Sequence, residues 1–125
     1  MAAKRLLIID DAVFQSEVLK EVFENLFGDK IEVEIANDYQ STKNVILTKD
    51  CDLILVDYLL GSLGTGDELK NKVQQNIETN AQWIMMSALD VNALSEQYKV
   101  DGFVKFIHKS DYSEMSEEIS KALFH

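Results

Sequence analysis

Aspartates close two apolar runs of this chain: Asp10 and Asp11 follow Leu6-Leu7-Ile8-Ile9, and Asp57 follows Leu53-Ile54-Leu55-Val56. If the two runs are neighbouring parallel strands, three carboxylates crowd at one end of one sheet. Like charges at about 4 Å repel by about 4 kcal/mol per pair at an effective dielectric near 20, before solvent and protonation relieve them. Such a cluster asks for a cation, and an all-oxygen donor set suits a hard one such as Mg²⁺.

The rest of the chain reads as the scaffold for that cluster. Apolar runs alternate with helical patterns throughout, with no linker, repeat or low-complexity segment. Leu6 to Ile9 reads as a buried strand. Val18, Leu19, Val22, Phe23 and Leu26 form a helical stripe that Gly28 ends. Ile31 to Ile35 alternates with period two, as a half-buried edge strand does. A weaker helix runs from about Asp38 to Leu47, and Leu53 to Val56 is the next continuous run. After Asp57 a loop carries Gly61, Gly64 and Gly66, and a helix starting near Asp67 shows Leu69, Val73 and Ile77 four residues apart. Trp83 to Met86 is a buried run ending at Ser87, with Met85 and Met86 as core filler. Val91, Leu94 and Tyr98 mark a short helix. Phe103 to Ile107, broken by Lys105, is a last edge strand. Asp111 and Glu114 resemble a capping box opening a helix with Met115, Ile119 and Leu123 on one face.

Five βα units in series predict an α/β fold: a doubly wound, five-stranded parallel sheet of the flavodoxin-like type with helices on both faces. The first, third and fourth strands are continuously apolar and belong in the centre; the second and fifth carry charges and belong at the edges. The order 2-1-3-4-5 satisfies this and sets the topological switch point between strands one and three, where Asp10, Asp11 and Asp57 fall.

The 125 residues, 46% of them hydrophobic, are expected to form one domain, 1–125, with a substantial core. No apolar stretch approaches the roughly 20 residues of a membrane span. Met1 to Arg5 lead into an apolar run too short for a signal peptide, so the expected location is cytoplasmic. The single cysteine, Cys51, excludes an internal disulfide and is read as buried and inert. A formal charge of −10 opposes direct binding to nucleic acid or anionic lipid and favours protein partners.

Ser87 at the end of the fourth strand, Phe106 within the fifth and Lys109 just after it complete a pattern. With Asp10-Asp11, Asp57, Ser87-Ala88 and Phe106-Ile107-His108-Lys109 in order at successive strand ends, the whole chain resembles the receiver domain of two-component response regulators, the chemotaxis-regulator type. That resemblance implies Asp57 as phosphoacceptor, with Asp10, Asp11, Asp57 and the backbone carbonyl of Leu59 as Mg²⁺ ligands. It implies Ser87 as the switch hydroxyl, Phe106 as the switch aromatic and Lys109 as the site lysine. Lys105 is a rival for the last role, with a poorer spacing. His108 and His125 are read as ordinary surface residues.

The implied partners are a histidine kinase or histidine phosphotransfer protein and a downstream protein target, with the protein a monomer or a phosphorylation-dependent dimer. Phe14, Gln15 and the first-helix face are expected to set kinase choice. The chain is not expected to be an enzyme beyond catalysing its own phosphorylation and dephosphorylation. Two departures stand out, since the chain has no proline: Ser110 and Gly61 occupy positions where receivers usually carry one. Leu59 and Leu89 border the expected path of hydrolytic water and predict a long-lived phosphoryl group. The alternative reading is a phosphorylation-independent interaction module on the same fold. A haloacid-dehalogenase-type phosphohydrolase fits less well, because Leu59 stands where its second aspartate would be. A flavodoxin fits worse still, because the first loop offers acids where a cofactor phosphate needs hydroxyls and amides.

Overall fold

The computed structural model describes residues 2–124, so the reading of His125 lies outside the described residues. In chain order the elements are β1 (Lys4–Ile9), α1 (Val13–Phe27), β2 (Ile31–Ala36), α2 (Tyr39–Thr48), β3 (Leu53–Asp57), α3 (Gly66–Asn76), β4 (Gln82–Ser87), α4 (Val91–Gln97), β5 (Phe103–His108) and α5 (Tyr112–Phe124). The strands pair in parallel in the order β2-β1-β3-β4-β5, as the charge pattern of the apolar runs predicted. No described helix is long and apolar enough to cross a membrane.

Strand alternation divides the core in two. Leu6, Ile8, Leu53, Leu55, Ile84 and Met86 pack with Leu19 and Phe23 of α1 and Met115 and Ile119 of α5. Leu7, Ile9, Ile54, Val56 and Trp83 pack on the other face with Ile46 of α2 and Leu69 and Val73 of α3. Successive side chains of a strand point to opposite faces, so runs apolar at every position need cover on both sides. Caps set where the helices begin. Asp38 and Ser41 form a reciprocal box at α2, Thr65 and Glu68 another at α3, and Asp111 Oδ1 accepts the Glu114 N–H at 3.0 Å at α5.

Two local details depart from the sequence reading. Leu26 is exposed, and Phe27 takes its expected place against the core, its ring centroid 5.4 Å from that of Phe124. Spacings of three and four both return to the same helix face, and the position of α5 selects Phe27, four residues after Phe23. In β5 the register slips between Trp83↔Phe103 and Ile84↔Lys105, a bulge at Val104. The slip sets Phe106 opposite Met85 and His108 opposite Ser87. The turn before β5 is held by the buried Lys70 of α3, whose Nζ donates to the Asp101 carbonyl at 2.6 Å and to Gln74 Oε1 at 3.0 Å.

Candidate functional site

Parallel pairing of β1 with β3, Ile9 beside Val56, brings the residues that follow each strand together. Asp10 is fully buried; its amide donates to the Ala36 carbonyl at 3.2 Å, and its Oδ1 accepts the Ala12 N–H at 2.9 Å. Asp57 closes β3 and is also buried, whereas Asp11 is exposed. One carboxylate oxygen from each of the three lies within 4.8 Å of the others. Lys109, 99 residues after Asp10, reaches in from the loop after β5, its Nζ donating to Asp10 Oδ2 at 2.8 Å and to Asp57 Oδ2 at 3.1 Å.

The charges do not balance. Burial, and then the neighbouring Asp10 carboxylate, push the Asp57 carboxyl up to about 6 against the pull of Lys109. Burial pulls the Lys109 ammonium down, but Asp10 and Asp57 outweigh it and hold it above the ordinary lysine value. Three carboxylates face one ammonium, so a divalent cation fits the deficit. Oxygens on opposite sides of Mg²⁺ stand about 4.2 Å apart, and around Ca²⁺ about 4.8 Å, so the spacing suits a hard cation.

Two glycines let the loop after β3 close on this cluster. A Cβ on Gly66 would lie 2.5 Å from the Asp57 carbonyl oxygen, too close for any other residue without a shift. Gly61 has φ 60°, and a Cβ there would lie 2.7 Å from Asp11 Oδ2. Proline, locked near φ −65°, cannot adopt that conformation, which accounts for its absence at this position.

The remaining residues singled out in the sequence differ in burial and in their partners. Ser87 is buried, its Oγ accepting the Leu89 N–H at 2.9 Å, so the hydroxyl is engaged within its own loop. Phe106 is half-buried, its ring centroid 5.4 Å from that of Phe103. Leu59 and Leu89 are both about half exposed, Leu59 in a one-pair bridge with Thr65. Lys105 is exposed in mid-strand and is not part of the group around Asp57. Cys51 is buried, and burial pushes its thiol up to about 11, in keeping with an inert role. Phe14 is 80% exposed on the first turn of α1.

Sequence reasoning missed two side-chain links beside the site. The hydroxyl of Tyr58, next to Asp57, pairs with that of Tyr98 at the end of α4. His108, read as an ordinary surface residue, is half-buried and hydrogen-bonded through both ring nitrogens, to Ala88 and to Ser110. Only the His-Lys-Ser run without proline hinted that this loop needed another restraint.

The family model described as "Response regulator receiver domain" matches residues 6–120. Among solved structures, a two-component response regulator from Clostridium difficile superposes with a TM-score of 0.80 at 19% identity, over 96% of this chain and 95% of that one. A CheY-like receiver domain protein from Methanospirillum hungatei gives 0.78 at 25% identity, over 97% and 94%. A response regulator from Thermotoga maritima, solved in complex with Mg²⁺ and BeF, gives 0.77 at 21% identity, over 96% and 99%. No curated relative matches the sequence.

Proposed function

The chain belongs to the response regulator receiver domain family, and on that premise we propose that Asp57 accepts a phosphoryl group and that the added charge switches a protein-binding surface. The observation that carries this reading is the junction of Asp10, Asp11 and Asp57 with the Lys109 ammonium bonded to two of them. The Thermotoga relative solved with Mg²⁺ and BeF supports the same choice of metal.

In the proposed step an oxygen of Asp57 attacks the phosphorus of a phosphohistidine on a histidine kinase or phosphotransfer protein. A P–O bond forms, the P–N bond breaks, and the electron pair leaves with the imidazole. Asp10, Asp11, Asp57 and the Leu59 carbonyl would hold Mg²⁺, which when bound neutralises the approaching phosphoryl anion. Asp10 keeps Lys109 in place through a buried ion pair, and Lys109 stands ready to donate to the phosphoryl oxygens. Phosphoryl transfer needs mainly positioning and charge stabilisation, and these residues supply both.

The readout uses Ser87 and Phe106. A phosphoryl oxygen on Asp57 accepts the Ser87 O–H, a hydrogen that the Leu89 amide, itself a donor, leaves free, and the hydroxyl's turning inward frees space that Phe106 fills. The surface of α4, β5 and α5 is reshaped as the population shifts between two packings. Target proteins read that surface, while Phe14 and Gln15 on α1 contact the phosphodonor.

Mixing the protein with Mg²⁺ and acetyl phosphate or phosphoramidate, followed by intact mass, tests the reading. One added phosphoryl group is expected, absent in Asp57→Asn. A parent protein that stays unmodified is instead an interaction module that works without phosphorylation.

A further inference from the structure

Lys109 can serve Asp57 only if the loop carrying it is held in place, and with no proline in the chain no ring restricts that loop. Its backbone is closed on itself by the Asp111 N–H donating to the His108 carbonyl at 2.9 Å, and tied to the loop after β4 by the Lys109 N–H donating to the Ser87 carbonyl at 2.9 Å. The second tie between the two loops is the His108 side chain. The Ser110 N–H points at His108 Nδ1 at 3.2 Å, the Ser110 hydroxyl lies 2.7 Å from the same nitrogen, and Nε2 lies 3.2 Å from the Ala88 carbonyl oxygen.

These contacts determine where the ring proton sits. A backbone N–H can only donate, so Nδ1 carries the lone pair. A backbone carbonyl can only accept, so Nε2 carries the hydrogen. In the opposite tautomer the Ser110 amide would lose its acceptor and the Nε2 lone pair would face the Ala88 oxygen. One neutral form satisfies all the partners.

We propose that His108, as the neutral Nε2–H tautomer, is a positioning residue that clamps the loop after β4 to the loop after β5 and so aims Lys109 at Asp57. Its effect on phosphorylation rests on the phosphoacceptor reading above; the clamp itself does not. The clamp spans Ala88, next to Ser87, and Ser110, two residues before α5. Any shift of the Ser87 loop is therefore passed to the start of α5 as well as to Phe106.

Nitrogen-15 NMR of the imidazoles in the unmodified protein reads the clamp directly, with His125→Gln assigning the two rings. The expected His108 spectrum has a pyridine-type Nδ1 and a pyrrole-type Nε2. A Nδ1-protonated ring, or the averaged signal of a free imidazole, overturns the proposal. In phosphorylation by phosphoramidate, His108→Ala is expected to lower the saturated rate by about ten- to a hundredfold, the scale of a slightly misplaced group. The half-saturating donor concentration stays unchanged. His108→Asn, whose amide oxygen can still accept the Ser110 N–H, recovers part of the loss. In a Lys109→Ala background the His108→Ala change should cost nothing further, because it acts through Lys109. An equal loss in that background, or none in the parent background, also overturns it. A parent that takes no phosphate removes the phosphoacceptor reading, and the nitrogen spectrum then still decides the clamp.

Discussion

The hydroxyls of Tyr58 and Tyr98 stand 3.1 Å apart, joining the residue beside Asp57 to the C-terminal end of α4. Both rings are half-buried, their centroids 5.7 Å apart, and Tyr98 also accepts from Gln97 Nε2 at 3.1 Å. The Tyr58 hydroxyl, with burial, holds the Tyr98 phenol above its ordinary range. Tyr98→Phe deletes the shared hydrogen bond while keeping the ring contact. It should cost about 1 kcal/mol, or about 3–5 °C in Tm. An unchanged melting curve would show that the two hydroxyls contribute nothing.

Asp57 sets a pH dependence in the metal-free protein. Its carboxyl lies near 6 in the folded state against 3.8 for the unperturbed group, so between these values the native state holds a proton that the unfolded chain has released. The associated stability is therefore complete below about pH 4 and is lost as pH rises through about 6, by at most about 3 kcal/mol. In EDTA at neutral pH, Asp57→Asn should melt higher than the parent and lose this slope. Added Mg²⁺ should then stabilise the parent more than the variant. Calorimetry from mildly acidic to neutral pH, with and without Mg²⁺, would refute the assignment if parent and variant ran parallel throughout.

Gly66→Ala places a methyl group against the Asp57 carbonyl, a backbone atom that cannot step aside. The loop after β3 must move instead, at a cost of about 1–3 kcal/mol in urea denaturation. Because Asp57 moves with it, Mg²⁺ affinity should fall too. A variant as stable as the parent would mean that the loop is softer than its packing implies.

Leu59 and Leu89 stand half-exposed on the loops that follow β3 and β4, and if Asp57 is phosphorylated as proposed, neither of their hydrocarbon side chains can orient water for attack on it. The Leu59→Asn/Leu89→Glu variant supplies such groups and should shorten the phosphoryl lifetime severalfold. The check is the decay of the phosphorylated form by intact mass after the donor is removed. Equal lifetimes would remove the idea.

Much of this molecule is written in its order of residues. Runs apolar at every position read as central strands and runs interrupted by charge as edges, a contrast that the order β2-β1-β3-β4-β5 satisfies. The acids at the ends of β1 and β3 followed, since in a parallel sheet paired strands finish on the same side. The tertiary structure decided which of Leu26 and Phe27 faces the core, because helical spacing allows both and only the position of α5 distinguishes them. It also decided the bulge at Val104, the engagement of Ser87 with Leu89, and the pairs Tyr58–Tyr98 and His108–Ala88. A hydrophobic pattern repeats along the chain and can be read in one dimension. A hydrogen bond between side chains of different loops depends on distances and directions that exist only once the sheet has brought those loops together.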